Sequence, residues 1–191
     1  MFFSPPSSRR VLQHSRIIHI DAYAREDELW DIEARIQDFK STDTHLASGV
    51  RPAGEPIHDL GLRICINSVM DIVAVEAVSA ANPYPGHCNA ITPDYTKLVG
   101  LNLLKQFRHE VGVRMGGNRG CTHLTELAQI LPTAAVQAFA GHVVSVNELG
   151  SEHVQNQQQP FQLNRCHALK LDGGAVAAYY PRWVKQPEQS E

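Results

Sequence analysis

Between Arg16 and Gln37 apolar and polar residues alternate. Ile18, Ile20 and Ala22 share one parity, and the cluster Arg25-Glu26-Asp27-Glu28 interrupts them. Trp30, Ile32, Ala34 and Ile36 then alternate with Asp31, Glu33, Arg35 and Gln37. A period of two with one wet face marks a half-buried strand, so the stretch predicts a β-hairpin with Trp30 and Ile32 turned to the core. Residues 41–57 are rich in Ser, Thr, Gly and Pro and predict a loop. Alternation resumes at Leu60, Leu62, Ile64 and Ile66, turns near Asn67-Ser68, and returns through Val73, Val75 and Ala77. Four strands with short connections predict an antiparallel meander, one face of which is free for helices.

Beyond Pro93 the period lengthens. Tyr95, Leu98, Val99, Leu103, Phe107 and Val111 suit helical spacing, Gly116-Gly117 breaks it, and Leu124, Leu127, Leu131 and Ala135 resume it. Pro132 predicts a kink or a boundary in that second helical stretch. A Gln-rich linker runs from Gln155 to Gln159, and Asp172-Gly173-Gly174 has the composition of a hairpin turn. Strands first and helices second define an α+β fold: a four-stranded antiparallel meander, two or three helices on one face, and a short C-terminal hairpin. The expected boundaries are an unstructured arm over 1–15, a single domain over 16–184, and a loose tail over 185–191.

Composition narrows the function classes. With 43% hydrophobic and 19% charged residues in 191, the chain can bury one core. A net charge of −3 argues against a dedicated nucleic-acid binder, which needs clustered Lys and Arg. No apolar run approaches the ~20 residues of a membrane span, and the first residues lack a signal pattern, so a cytoplasmic location is expected. Thiols there stay reduced, so the four cysteines are read as core residues, nucleophiles or metal ligands rather than a disulfide framework.

The strongest chemical motif is Gly120-Cys121-Thr122-His123-Leu124, which follows a Gly-rich break and opens a helix. A cysteine at a helix N-terminus meets the positive end of the dipole, which favours thiolate, the form that attacks electrophiles or binds metal. The plainer alternative is that Cys121 only starts the helix and His123 is solvated. Pro83-Tyr84-Pro85-Gly86-His87-Cys88 marks the crossover from sheet to helices, and Cys166-His167 precedes the last turn. Cys88, Cys121, His123, Cys166 and His167 together form a candidate metal set, though no Cys-x-x-Cys spacing ties them. Cys65, mid-strand beside Arg63, reads as structural. His58 opens its strand on the core parity, as a buried histidine with a partner or as a base. Asp38 ends the preceding strand within reach of it, and Glu126 follows His123 by one helical turn, where it could orient the ring.

Trp30-Asp31-Ile32-Glu33, Pro52-Ala53-Gly54-Glu55-Pro56, Pro83-Tyr84-Pro85 with Cys88, Leu98-Val99-Gly100, Gly120-Cys121-Thr122-His123-Leu124 and Cys166-His167-Ala168-Leu169 follow one another in the chain. In order and spacing they resemble the bacterial family labelled domain of unknown function 2889, over roughly Arg16 to Trp183. That label implies no activity. A small antiparallel sheet with a cysteine after its last strand and another at the start of a later helix is also similar to NifU-type iron–sulfur scaffolds, a likeness of architecture alone.

Three functions follow. The first is a metal- or cluster-binding protein, holding zinc or an iron–sulfur cluster through Cys88, Cys121 and Cys166 with His123, His167 or His58. The second is an enzyme with Cys121 as nucleophile and His123 or His58 as base, acting on an acyl-type electrophile. The third is a non-catalytic accessory domain with inert thiols.

Overall fold

The computed structural model describes residues 3–142, 159–160 and 162–185. The chain divides into two compact units, Met1–Ala138 and Phe139–Glu191.

The first unit is built on a four-stranded antiparallel sheet. Its strands are β1 (His14–Ala24), β2 (Trp30–Lys40), β5 (Pro56–Ile66) and β6 (Ile72–Ala81), in the order β1-β2-β5-β6. The meander expected from the alternation is present. Its one excursion lies in the stretch expected to be a loop: β3 (Thr44–Leu46) and β4 (Gly49–Arg51) form a small hairpin of their own. Three-residue strands are too short to leave a periodic trace, and Gly49, with φ of +125°, makes the tight turn that L side chains resist.

Parity decides what the sheet buries. In β2 the residues Ile32, Ala34 and Ile36 are buried, while Glu33 and Arg35 are exposed. Trp30, on the same parity, is half-buried because it stands at the strand's edge of entry. Across from them in register stand Leu60, Leu62, Ile64 and Ile66 of β5, all buried. Cross-strand apolar pairs of this kind fix the register, since a slip of one residue would turn the whole set to solvent.

After the sheet come a 3-10 helix (Cys88–Leu98), α1 (Phe107–Met115) and α2 (Thr122–Phe139). Tyr95, Leu98, Phe107, Val111, Leu124 and Leu127 are buried, the helical-period positions of the sequence. The first of these stretches is 3-10 rather than α-helical. α2 runs through Pro132 without ending there. Leu127, Leu131 and Ala135 on its buried face are each fully enclosed, and that packing outweighs the one backbone hydrogen bond that proline removes.

In the second unit the expected C-terminal hairpin is replaced by a helix, α3 (Gly174–Tyr179), which Gly173 precedes in extended conformation. Leu163, Leu171 and Val176 form a small buried cluster with Leu169, Tyr180 and Trp183 packed against it. Val176 faces that cluster, and a helical turn presents it with fewer residues than a strand pair. The Gln-rich stretch from Gln155 to Gln158 lies outside the described residues. β1 begins at His14, two residues ahead of Arg16. Both side chains turn onto Asp38, and Ser41 reaches back to the Leu12 carbonyl, so pairing extends to the start of the strand.

Candidate functional site

The core face of the sheet ends in charge. Arg16 of β1 is paired in register with Asp38 of β2, and Asp38 with His58 of β5, so the three form one row across three strands. Each occupies the parity that is apolar further along its strand. Asp38 is 3% exposed, and a carboxylate so buried requires partners.

It has them. Arg16 forks onto it, Nε to Oδ1 at 2.8 Å and Nη2 to Oδ2 at 3.0 Å. His14 Nε2 lies 2.8 Å from Oδ1. His58 Nδ1 and His123 Nε2 lie 3.1 and 3.5 Å from Oδ2. Burial pushes Asp38 towards neutrality, but the hydrogen bonds from Arg16 and His14 outweigh it and hold the pKa at about 2. The group is therefore an anion at neutral pH.

His123 comes from the first turn of α2, and its ring packs on that of His58 with centroids 3.9 Å apart and a tilt of 34°. Burial pushes His58 below its ordinary value, and the neighbouring His123 pushes the same way. While Nε2 of His123 faces Asp38, its Nδ1 lies 4.0 Å from Cys121 Sγ.

Cys121 is half-buried and stands immediately before α2. Burial pushes its thiol up, but hydrogen bonding from His123 and from the amides of Leu124 and His123 outweighs this and holds it below the ordinary range. Two features fix its position. The Tyr95 hydroxyl donates to the Cys121 carbonyl at 2.9 Å and accepts from its amide at 3.0 Å. At Gly120 any Cβ would collide with the Met115 carbonyl, so only glycine lets the chain pass there. An open groove of about 330 Å³, lined by Met115, Gly117, Thr122, Thr125, Glu126 and Gln129, runs along the start of α2.

Of the three residues named for catalysis from sequence, His58 and His123 face the Asp38 carboxylate and Cys121 lies beside His123. Among the described residues, a group with ligand atoms all within 4.8 Å of one another is Asp38, His58 and His123. Of the candidate metal set it contains His123, together with His58, the residue named as an alternative to complete that set. Cys88 begins the 3-10 helix, and Cys166 and His167 belong to the second unit. Glu126 does not orient His123; it pairs with Arg16 Nη1 at 2.7 Å. Cys65 is buried, with Arg25 Nη1 3.6 Å from its sulfur, and burial pushes its thiol up. His14, Arg16 and Tyr95 had not been singled out. Arg16 carried a readable signal, a charge on the parity of Ile18 and Ile20.

A family model described as "Protein of unknown function (DUF2889)" matches residues 14–137. The chain belongs to this family. The DUF2889 region coincides with the first compact unit and contains every residue of the site just described. It ends before Cys166-His167-Ala168-Leu169, the last motif on which the resemblance was drawn. No curated protein and no solved structure matches the chain, which leaves the likeness to NifU-type scaffolds without a structural match. Among the described residues no helix is long and apolar enough to cross a membrane.

Proposed function

We propose that the DUF2889 domain is a cysteine-dependent enzyme in which Cys121 is the nucleophile, His123 its base and Asp38 the group that orients the base. One observation carries the reading: the two nitrogens of one imidazole face the thiol and a buried carboxylate, at 4.0 and 3.5 Å. That is the nucleophile–base–acid order of acyl-transfer centres on unrelated folds. With its proton on Nε2 towards Asp38, His123 turns a lone pair on Nδ1 to the thiol. It takes the thiol proton, and the anionic Asp38 stabilises the imidazolium that forms. The thiolate attacks a carbonyl carbon, and the leaving group departs with the proton from His123. The substrate class is an acyl compound with a good leaving group. A test is incubation with p-nitrophenyl acetate followed by peptide mass analysis. The acetyl group is expected on Cys121 as a thioester, with p-nitrophenolate released in equal amount. Acetylation spread evenly over the four cysteines, or unchanged in His123→Ala, would overturn the assignment.

Metal binding is the second reading, favoured by the convergence of Asp38, His58 and His123. A carboxylate and two imidazoles suit a zinc or iron ion. An iron–sulfur cluster, normally held by thiolates, draws less support, because the cysteines of the proposed set are not part of that convergence.

A further inference from the structure

The four-stranded sheet has two edges, and they differ. β6 meets β5 with two shifts of register, at Asp59/Leu60 and Cys65/Ile66. Its outer side is occupied near Ile72, whose amide donates to the Leu101 carbonyl and whose carbonyl accepts from the Gly100 amide. Bulges and covering segments are the usual ways to blunt an edge. β1 has neither. Its eleven residues pair with β2 without a shift, from His14 with Lys40 to Ala24 with Trp30. Among the described residues no strand lies on its other side. It contains no proline and no lysine, and its one arginine, Arg16, is held by Asp38. Ile17, Ile18 and Tyr23 are exposed, so apolar side chains flank this open edge on both faces.

Backbone direction decides which residues an added strand would meet. The Arg25 amide donates to the Leu29 carbonyl and the Ser41 amide to the Gln13 carbonyl, continuing the β1–β2 ladder at both ends through odd-numbered residues. Such pairs alternate along an antiparallel ladder, so Arg16, Ile18, Ile20, Ala22 and Ala24 turn their amides and carbonyls to the open edge. We propose that this edge pairs with β1 of a second copy of the chain, antiparallel and about a two-fold axis at Ile20, so that one sheet runs through both copies. In that register Ile20 stands opposite the partner's Ile20, and Ile18 opposite the partner's Ala22, on the helix-facing side. On the outer face Ile17 stands opposite the partner's Tyr23, and His19 opposite the partner's Asp21. These outer pairs are of the kind that exchanges no backbone hydrogen bonds, where side chains come closest. An axis at His19 would instead set imidazole against imidazole and Ile17 against Asp21; an axis at Ile18 would set Arg16 against Ile20. Within one chain His19 Nε2 already lies 2.8 Å from Asp21, so the two-fold joins two such pairs into one polar cluster. The blunted edge at β6 cannot repeat the contact, which closes the assembly at two copies. The pairing is independent of the nucleophile reading above.

Sedimentation equilibrium of the full chain in reducing buffer tests the pairing. The parent protein is expected to dimerise reversibly. His19→Asp sets carboxylate against carboxylate at both symmetric pairs and is expected to weaken the dimer about tenfold. The exchange His19→Asp with Asp21→His restores both pairs and is expected to return the parent affinity. Both side chains are exposed, so these variants keep the fold. The register is read separately by mixing His19→Cys chains with Asp21→Cys chains, oxidising mildly and mapping disulfides by peptide mass. A bond between position 19 of one chain and position 21 of another is expected, because directly opposite residues lie within disulfide reach. A parent protein that stays monomeric up to about 100 μM would overturn the proposal. So would a dimer indifferent to His19→Asp, or one that the exchange fails to restore, since either would place the interface elsewhere. Disulfides that join two positions 19, or none between positions 19 and 21, would overturn the register.

Discussion

Two Arg–Asp forks bridge neighbouring strands of the sheet, on opposite faces. On the outer face Arg35 of β2 grips Asp59 of β5 at 2.7 and 2.5 Å, with Gln37 adding a third bond at 3.1 Å. On the helix-facing side Arg16 of β1 grips Asp38 of β2. Both carboxylates are buried, at 9% and 3% exposure, and both are held below their ordinary pKa. The outer fork has the roomier surroundings, an open groove of about 500 Å³ that also exposes Gly61, Arg63 and Glu76. Its arginine and acid satisfy each other, and among the described residues no thiol or imidazole is hydrogen-bonded to them; it is a staple. In the inner fork Oδ2 accepts from Arg16 Nη2 and is also faced by two imidazoles, one of which lies beside a thiol. Chemistry therefore follows from what remains to be satisfied around a buried charge, and the size of the hollow beside it is secondary.

Removing one carboxylate at a time separates staple from site. Asp38→Ala leaves Arg16 with Glu126 alone and removes the carboxylate that His14, His58 and His123 face, and should cost about 1.5–3 kcal/mol in a urea melt. It should also slow iodoacetamide labelling of Cys121. Asp59→Ala should cost about 1 kcal/mol, since the Arg35 side chain is 58% exposed, and should leave Cys121 labelling unchanged. Equal costs would mean that both forks are staples.

Acid sharpens the same contrast. The folded pKa of Asp38 is about 2, below its ordinary 3.8. Its contribution is thus complete above about pH 4 and is lost as pH falls towards 2. It amounts to about 2 kcal/mol. Comparing stability at pH 6 and pH 3 in the parent protein and in Asp38→Asn captures about half of it; the variant should lose less stability over that interval.

Gly120→Ala places a Cβ against the Met115 carbonyl and should destabilise by about 1–3 kcal/mol, read from thermal melting. Tyr95→Phe, which removes the hydroxyl that bridges the Cys121 carbonyl and amide, should cost about 1–2 kcal/mol. Were Tyr95→Phe to leave both stability and labelling untouched, the clasp would be incidental.

The sheet was legible because alternation is a local property: Trp30 to Ile36 and Leu60 to Ile66 declare their inner face without knowledge of their partners. The same parity carried Asp38 and His58 into view, and the motif at Gly120 singled out Cys121 and His123. What could not be read was which distant segments meet. The register that lines up Arg16, Asp38 and His58 depends on long-range pairing, and the placement of His123 over them depends on helix packing. Counting cysteines pointed to sulfur as the common chemistry, whereas a converging ligand group among the described residues is Asp38, His58 and His123. Asp172-Gly173-Gly174 misled for a related reason: the same glycines that make a hairpin turn also precede a short helix.

The central claim is that His123, held by Asp38, makes Cys121 the reactive thiol of this chain. The most direct measurement is the rate at which each of the four cysteines is labelled by iodoacetamide at neutral pH in metal-free protein, followed peptide by peptide. Cys121 is expected to react at least tenfold faster than Cys65, and to fall to the rate of Cys65 in His123→Ala. Equal, slow labelling of all four, or a rate at Cys121 indifferent to His123, would contradict it.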